Sequence, residues 1–138
     1  MDRRELIDFV RVRGLGVIAS RGPDGSPQAA LVGIAATDQA EIVFDCSRSS
    51  RKYANIARDP AVALVVSWED EVTVQIEGSA QILSGTDLER CKAAYFEQYP
   101  DGQDRAASPE IGHIRVIPRW LRHSDYRPGT FGSSKTQF

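Results

Sequence analysis

The sequence predicts a mainly β fold with flanking helices, of the α+β class, in which six antiparallel strands form a small closed or partly closed barrel. Short β-rich runs are joined by tight polar turns, and helical segments separate only some of them. One alternating strand ends at Gly78, where a closing sheet needs a bulge or bend. With 138 residues, the chain has the length of one domain, and we expect a single domain over residues 1–138.

The N-terminal third predicts one helix and three strands. Leu6, Phe9 and Val10 lie at helical spacing, and Gly14 is a plausible end for that helix. A Gly-Pro-Asp-Gly-Ser turn at residues 22–26 then joins two strands, and a third follows. These strands, expected to form an antiparallel meander, are predicted at residues 15–21, 27–36 and 41–45.

A second helix follows the third strand. Tyr53, Ile56 and Ala57 lie at helical spacing, a serine can cap the helix, and Pro60 excludes the preceding residue from it. The next strand, at 61–68, is apolar on both faces. The fifth alternates at Val72, Val74 and Ile76.

The C-terminal third predicts a long helix and one more strand. Thr86 and Glu89 form a capping-box pattern, which opens a helix that runs through Tyr99. Its expected buried stripe is Leu88, Cys91 and Tyr95. The remaining segments are a loop at 101–109, a strand at 111–117 and an extended Gly/Ser-rich stretch at 118–138, with 127–138 as a C-terminal tail.

Composition and charge exclude several classes of protein. The hydrophobic content of 41% and charged content of 26% are those of a globular protein. The net charge of −2 does not favour a nucleic-acid partner. The longest apolar run, residues 61–66, is too short to cross a bilayer, and the opening residues do not resemble a signal peptide. We therefore expect a soluble, cytoplasmic protein with no membrane contact.

The cysteines and histidines do not predict a metal site. Cys46 and Cys91 lack zinc-ligand spacing, and we expect reduced thiols. Cys46 lies near a helix start, which can lower the pKa of a thiol, but a packing role is the stronger interpretation. His113 and His123 stand ten residues apart on a strand and an extended segment, and we interpret them as structural or surface residues.

The stretch from Phe44 to Lys52 carries the clearest chemical signal. It places hydroxyls and an Arg-Lys pair at the start of a helix, directly after a strand. Guanidinium and ammonium groups give the charge-assisted hydrogen bonds that a phosphate monoester needs, and helix N-terminal amides favour an anion at the same place. The alternative is that Arg48, Arg51 and Lys52 only solvate a helix face. The residues alone leave both interpretations open.

The order of motifs resembles that of the pyridoxamine 5'-phosphate oxidase-like FMN-binding split-barrel family. The matching features, which span residues 1 to about 126, are the turn at 22–27, the strand end at 43–45, Ser50-Arg51-Lys52, Asn55-Ile56, Asp59-Pro60, the strands at 61–68 and 72–78, and Pro118-Arg119-Trp120. The resemblance implies a six-stranded split β-barrel and a homodimer with FMN at the subunit interface. It also implies an oxidoreductase that acts on a small molecule.

The resemblance also implies which residues contact the flavin. The phosphate would be held by Ser50, Arg51 and Lys52. The isoalloxazine would lie along Ala30, Leu31, Val32 and Gly33, with Phe44 and Asp45 near the ribityl chain. Thr73 or Gln75 would reach the flavin from the partner subunit, and Trp120 resembles an aromatic residue near the cofactor, with core or interface packing as the alternative for Trp120 and for Trp68.

The chain departs from the larger oxidases of this family at two places. They carry an arginine at the start of the flavin-lining strand, where this chain has Gln28-Ala29-Ala30. Their terminal Arg-x-His-Asp-Arg pattern, which holds the substrate phosphate, is replaced by the sequence at residues 122–127. No catalytic residue and no nicotinamide-binding fingerprint can be named. Two alternatives to an FMN enzyme are a deazaflavin-dependent reductase and a non-catalytic flavin- or haem-binding, stress-related module.

Overall fold

A computed structural model describes residues 1–138. It contains four α-helices, eight strands and one 3₁₀ turn. In chain order the elements are α1 (Arg3–Arg13), β1 (Leu15–Arg21), β2 (Pro27–Gly33), β3 (Ala35–Ala36), β4 (Ile42–Ser47), α2 (Arg51–Arg58), β5 (Ala61–Val66), the 3₁₀ turn (Glu69–Glu71), β6 (Val72–Ile82), α3 (Gly85–Gln98), α4 (Gly102–Ala106), β7 (Ile111–Asp125) and β8 (Gly132–Gln137).

All strand pairs are antiparallel, in the order β2-β1-β5-β6-β7-β4-β3, and β8 pairs with β7. The two longest strands, β6 and β7, pair along most of their length in this curled sheet. The register between them shifts at Glu77/Gly78. A Cβ on Gly78 would lie 2.5 Å from the carbonyl oxygen of Ile117, so the close approach requires glycine. This confirms the predicted bulge.

The inner side of the curled sheet holds the main core. Side chains from α1, α2 and most strands form one cluster of 21 buried residues, which includes Leu6, Ile18, Phe44 and Ile56. The helix α1 is fixed at both ends. Asp2 and Glu5 form a capping box at the start of the helix. Gly14, with φ of 70°, ends the helix at the residue that the sequence predicts.

A smaller cluster lies on the outer side of the sheet, where α3 packs over β3 and β4. It consists of Ala35, Val43, Leu83, Cys91 and Tyr95. The outer faces of β1, β2 and β5 are more open, and Leu31 and Val65 are exposed there. None of the four helices has the length and apolar composition of a membrane span.

Several predicted boundaries are wrong. The last strand does not stop at Ile117 but continues to Asp125, and residues 132–137 of the predicted tail form β8. The predicted second strand breaks at Ile34, where the chain leaves β1 and starts pairing with β4. The loop after α3 contains α4. The capping box at Thr86 is not formed, because the N-cap is Ser84 and the helix starts two residues earlier than predicted.

Candidate functional site

A cleft of about 120 Å³ lies between the start of α2 and the inner faces of β1 and β2. Its walls combine apolar strand positions with polar and cationic side chains. The lining residues are Ile18, Ser20, Gln28, Ala29, Ala30, Arg51 and Lys52. The structure therefore brings the Arg-Lys pair and the middle of β2, which are more than 20 residues apart in sequence, to one site.

The start of α2 is fixed by Ser50. Its hydroxyl accepts a hydrogen bond from the amide of Tyr53 at 3.3 Å and donates one to the carbonyl of Ser47 at 2.7 Å. Arg51 and Lys52 therefore occupy the first two helical positions, where backbone N–H groups have no partner within the helix. Ser50 lies beside the site as its cap, and its hydroxyl is already used within the turn.

Arg51 and Lys52 make no ion pair and no side-chain hydrogen bond within the protein, although the chain forms many such pairs elsewhere. Arg48 is different, because it turns away from the cleft. Its guanidinium donates to the carbonyl of Pro109 and to the hydroxyl of Tyr53, both at 2.9 Å. Two of the three predicted cations are thus free at the cleft.

The buried side-chain amide of Asn55 links two residues that line the cleft. Asn55 is 2% exposed, and its Nδ2 donates to Ser20 Oγ at 3.1 Å and to Gln28 Oε1 at 2.9 Å. Ser20 and Gln28 are cleft residues that the sequence does not predict. The available signal was a polar residue at inward-facing positions of two paired strands.

The predicted ring-binding strand divides between two faces. Ala30 lines the cleft and Val32 is buried in the core, while Leu31 and Gly33 point to the outer face because successive strand residues alternate. Leu31 is exposed. Gly33 is covered by the ring of Tyr99, which a Cβ would meet at 2.9 Å.

The structure places the side chains of Phe44 and Asp45, which the resemblance sets near the ribityl chain, on opposite faces of β4. Phe44 is fully buried in the core, so only its backbone can approach a ligand. Asp45 points to the opposite face of β4. There its carboxylate accepts hydrogen bonds from Arg105 at 2.9 Å and Tyr95 at 3.1 Å. This network fastens α3 and α4 to the sheet, and burial raises the pKa of Tyr95 to about 12.

Thr73, Gln75 and Trp120 lie away from the cleft, on the outer face of the sheet. Gln75 and Trp120 line an open hollow of about 300 Å³ whose other walls are mainly apolar. Among them are Val17, Ala63 and Val65. The hollow continues the exposed apolar surface at Leu31, because Val17 and Leu31 face each other across β1 and β2. Within one chain, these predicted residues do not meet Arg51 and Lys52.

The remaining reactive side chains serve packing. Both cysteines are buried and unpaired, and burial raises the pKa of each thiol, which is opposite to the lowering that a helix start can cause. His113 lies edge-on to Tyr95 and Phe96, and burial lowers its pKa. His123 packs against Phe9. Neither histidine lines the cleft.

Comparison with known proteins matches residues 3–124 to the family model described as pyridoxamine 5'-phosphate oxidase. The pyridoxine/pyridoxamine 5'-phosphate oxidase of Rubrobacter xylanophilus is 36% identical over 92 residues, which cover 66% of this chain and 41% of that protein. The matched region thus spans about two fifths of the length of the curated relative.

Solved structures share the fold across almost the whole chain. A heme binding protein from Mycobacterium smegmatis superposes with a TM-score of 0.82 at 17% identity, covering 99% of this chain and 58% of that one. A conserved hypothetical protein from Mycobacterium tuberculosis gives a TM-score of 0.75 at 27% identity, covering 92% and 86%. These neighbours are split barrels, which confirms the predicted fold class.

Proposed function

The chain belongs to the pyridoxamine 5'-phosphate oxidase family, and we propose that it binds FMN and acts as an FMN-dependent oxidoreductase on a small molecule. One observation carries the proposal. Arg51 and Lys52 stand at a helix start, free of carboxylates, at the edge of a cleft. Unpaired neighbouring cations repel each other, and a phosphate offsets that repulsion with charge-assisted hydrogen bonds.

The residues present fit the phosphate end of such a cofactor. Arg51 and Lys52 would hold the phosphate, together with the amides of the first turn of α2. The cleft, at about 120 Å³, is smaller than the 300–1,000 Å³ of typical pockets for whole ligands, so the flavin ring would extend beyond it. FMN would supply the hydride or electron transfer, while the protein supplies binding and position.

We further propose that a second copy of the chain completes the site. The outer faces of β1, β2 and β5 expose Leu15, Leu31 and Val65, which a homodimer would bury. Gln75 and Trp120 lie on the same side of the sheet and would then face the flavin held by the other copy. This arrangement explains how residues that are apart in one chain can serve one ligand.

The dimer is tested by Leu31→Glu. A charge in the centre of the proposed interface should convert a dimer to a monomer, as measured by sedimentation velocity. Val12→Glu is the matched control, since Val12 is 81% exposed on α1 and should leave the dimer intact. A wild-type monomer at micromolar concentration, or a Leu31→Glu dimer, would contradict this part of the proposal.

The alternatives fit less well. A deazaflavin with a longer anionic tail would need more cations around the cleft, and Arg48 is committed to Pro109 and Tyr53. A haem would need an axial ligand such as His, Cys, Met or Tyr, and no side chain of these types lines the cleft.

The visible spectrum of the purified protein tests the proposed function. Bound FMN should give a flavin absorption spectrum, or the flavin-free protein should quench the fluorescence of added FMN in a saturable way. A colourless protein that neither gains a flavin spectrum nor quenches FMN fluorescence would refute the proposal. Steady-state oxidation of reduced nicotinamide with FMN present separates an enzyme from a non-catalytic binding module.

A further inference from the structure

We propose that His113 is a pH switch for the docking of α3 and α4 on the outer face of the sheet. While its imidazole is neutral the two helices stay docked, and protonation of the imidazole favours their release. His113 lies in β7, beneath α3, and is 4% exposed. The switch lies outside the cleft, and its operation does not depend on the proposed flavin site.

The surroundings of the His113 ring suit its neutral form. The ring centroid is 6.0 Å from that of Tyr95 and 6.1 Å from that of Phe96, and both contacts are edge-on. The Nε2 atom of His113 is buried without a hydrogen-bond partner. In an imidazolium both ring nitrogens are donors, so Nε2 would carry an N–H group of a charged ring with no acceptor. Burying an unpaired charge costs far more than burying a neutral polar group.

The charged groups around His113 do not compensate for a charge on its ring. The titratable and charged side chains that face it are Asp45 in β4, Cys91, Lys92 and Tyr95 in α3, Arg105 in α4, and Arg48 in the turn before α2. Asp45 already accepts hydrogen bonds from Arg105 at 2.9 Å and from Tyr95 at 3.1 Å. Burial lowers the pKa of His113, Asp45 opposes that shift, and the three cations add to it. Burial also raises the pKa of Cys91 and of Tyr95, so both stay uncharged.

The layer that covers His113 is small compared with the main core. It packs on the sheet through a cluster of five buried residues, against 21 in the main core. Arg105 fastens α4 through its hydrogen bonds to Asp45 and to the hydroxyl of Tyr95, the latter at 3.2 Å. Opening of this layer leaves the main core in place, so it costs less free energy than global unfolding.

Release of α3 would also expose the end of β2. The ring of Tyr99 covers Gly33, where a Cβ would lie 2.9 Å from it, and the Tyr99 hydroxyl donates to the carbonyl of Gly14. Gln98 donates to the carbonyl of Arg11 at 3.2 Å. The C-terminal end of α3 thus joins β2 to the end of α1, and the switch would make these contacts dependent on pH.

Acid is expected to weaken the docking of α3 and α4. In the opened layer His113 regains its ordinary pKa of 6.5, whereas docking lowers that pKa. The contribution of His113 to docking is therefore complete above about pH 6.5 and is lost as the pH falls from there towards the lowered value. One proton weakens docking by at most about tenfold for each pH unit. The ion pair of Arg90 with Glu41 does not change in this range, because the pKa of Glu41 is about 2.

The first test measures amide hydrogen exchange in α3 and α4, as protection relative to the unfolded chain at the same pH. From pH 6.5 to 5.5 the wild-type protection should fall several-fold, with about tenfold as the limit. His113→Phe keeps an aromatic ring that cannot take a proton, and it should lose less than twofold. His123→Phe is the matched control at the other histidine and should behave as the wild type.

Two results of this exchange experiment would overturn the proposal. One is an equal fall in protection in the wild type and in His113→Phe. The other is protection of α3 and α4 in the wild type at pH 5.5 that equals the protection of β6 and β7, because the layer would then open only with the whole fold.

The second test needs no substitution at His113 and therefore holds even where His113→Phe fails to fold. The NMR signal of the His113 ring in the wild-type protein should titrate with a midpoint below pH 6.5. His123→Phe identifies that signal, since it leaves His113 as the one histidine. A midpoint at or above pH 6.5 would overturn the proposal, because docking would then not disfavour the proton.

Discussion

Two clusters of cationic side chains in this protein differ in whether a carboxylate neutralises them. At the first, Arg90 and Arg115 converge on Glu41, whose side chain is 8% exposed and also accepts a hydrogen bond from Thr37 at 2.7 Å. At the second, Arg51 and Lys52 have no carboxylate within reach. The first cluster stabilises the fold, while the second leaves its charge available to a ligand.

The difference arises from the surroundings of each cluster. Glu41 anchors α3 to the sheet through Arg90, and Arg90 holds the pKa of the Glu41 carboxyl down at about 2. The cations at α2 lie instead at a helix start beside an open cleft. Removing a partner should therefore cost stability at the first cluster and ligand affinity at the second.

The largest expected effect is on stability, from Glu41→Gln. The substitution leaves Arg90 and Arg115 without their shared anion, and breaking a buried ion pair typically costs about 3 kcal/mol or more in the free energy of unfolding. Urea denaturation measures it. Glu89→Gln is the matched control, because the exposed pair with Lys92 should contribute less than about 0.5 kcal/mol. If the two variants lose the same free energy of unfolding, the Glu41 cluster is no more stabilising than an exposed ion pair.

Acid should reproduce much of that loss in the wild-type protein. The folded pKa of Glu41, about 2, lies below its ordinary value of 4.5, so its contribution is complete above pH 4.5 and disappears as the pH falls towards 2. Glu41 should account for about 2 kcal/mol of the stability lost by pH 3. The unfolding free energy of Glu41→Gln should therefore fall less steeply between pH 4.5 and 3, and parallel curves would contradict the assignment.

Arg51→Ala should act on binding alone. Loss of a hydrogen bond from a charged group should weaken the binding of FMN by about 2 kcal/mol. The melting temperature of the ligand-free protein should stay unchanged. Arg48→Ala is the control within the same motif, since Arg48 already bonds to Pro109 and Tyr53. If both variants weaken FMN equally, the cleft does not distinguish the two arginines.

The smallest expected effect is that of salt. Arg51 is exposed, and screening at 0.5 M salt acts over a few ångströms, so FMN affinity should fall several-fold between 0.05 and 0.5 M sodium chloride. The buried Glu41 cluster should respond much less. Fluorescence titration of FMN and urea denaturation at the same salt concentrations measure the two responses, and a salt-independent FMN affinity would count against a phosphate contact at these cations.

The sequence was sufficient for the fold and for the location of the cations, because hydrophobic alternation and the Ser-Arg-Lys order are local signals. It was insufficient where a contact between segments distant in sequence determines the role of a side chain or the formation of a strand. Asp45 accepts a hydrogen bond from Arg105, which is 60 residues away in sequence, and Arg48 donates one to the carbonyl of Pro109, 61 residues away. The same applies to β8, whose polar sequence becomes a strand only because the edge of β7 offers unpaired hydrogen-bonding groups.

The most direct measurement compares FMN with riboflavin on the wild-type protein and on the double variant Arg51→Ala, Lys52→Ala. If Arg51 and Lys52 bind a phosphate, the wild type should bind FMN at least a hundredfold more tightly than riboflavin. The double variant should bind FMN and riboflavin with affinities within a few-fold of each other. Equal affinity for FMN and riboflavin in the wild type would contradict the account.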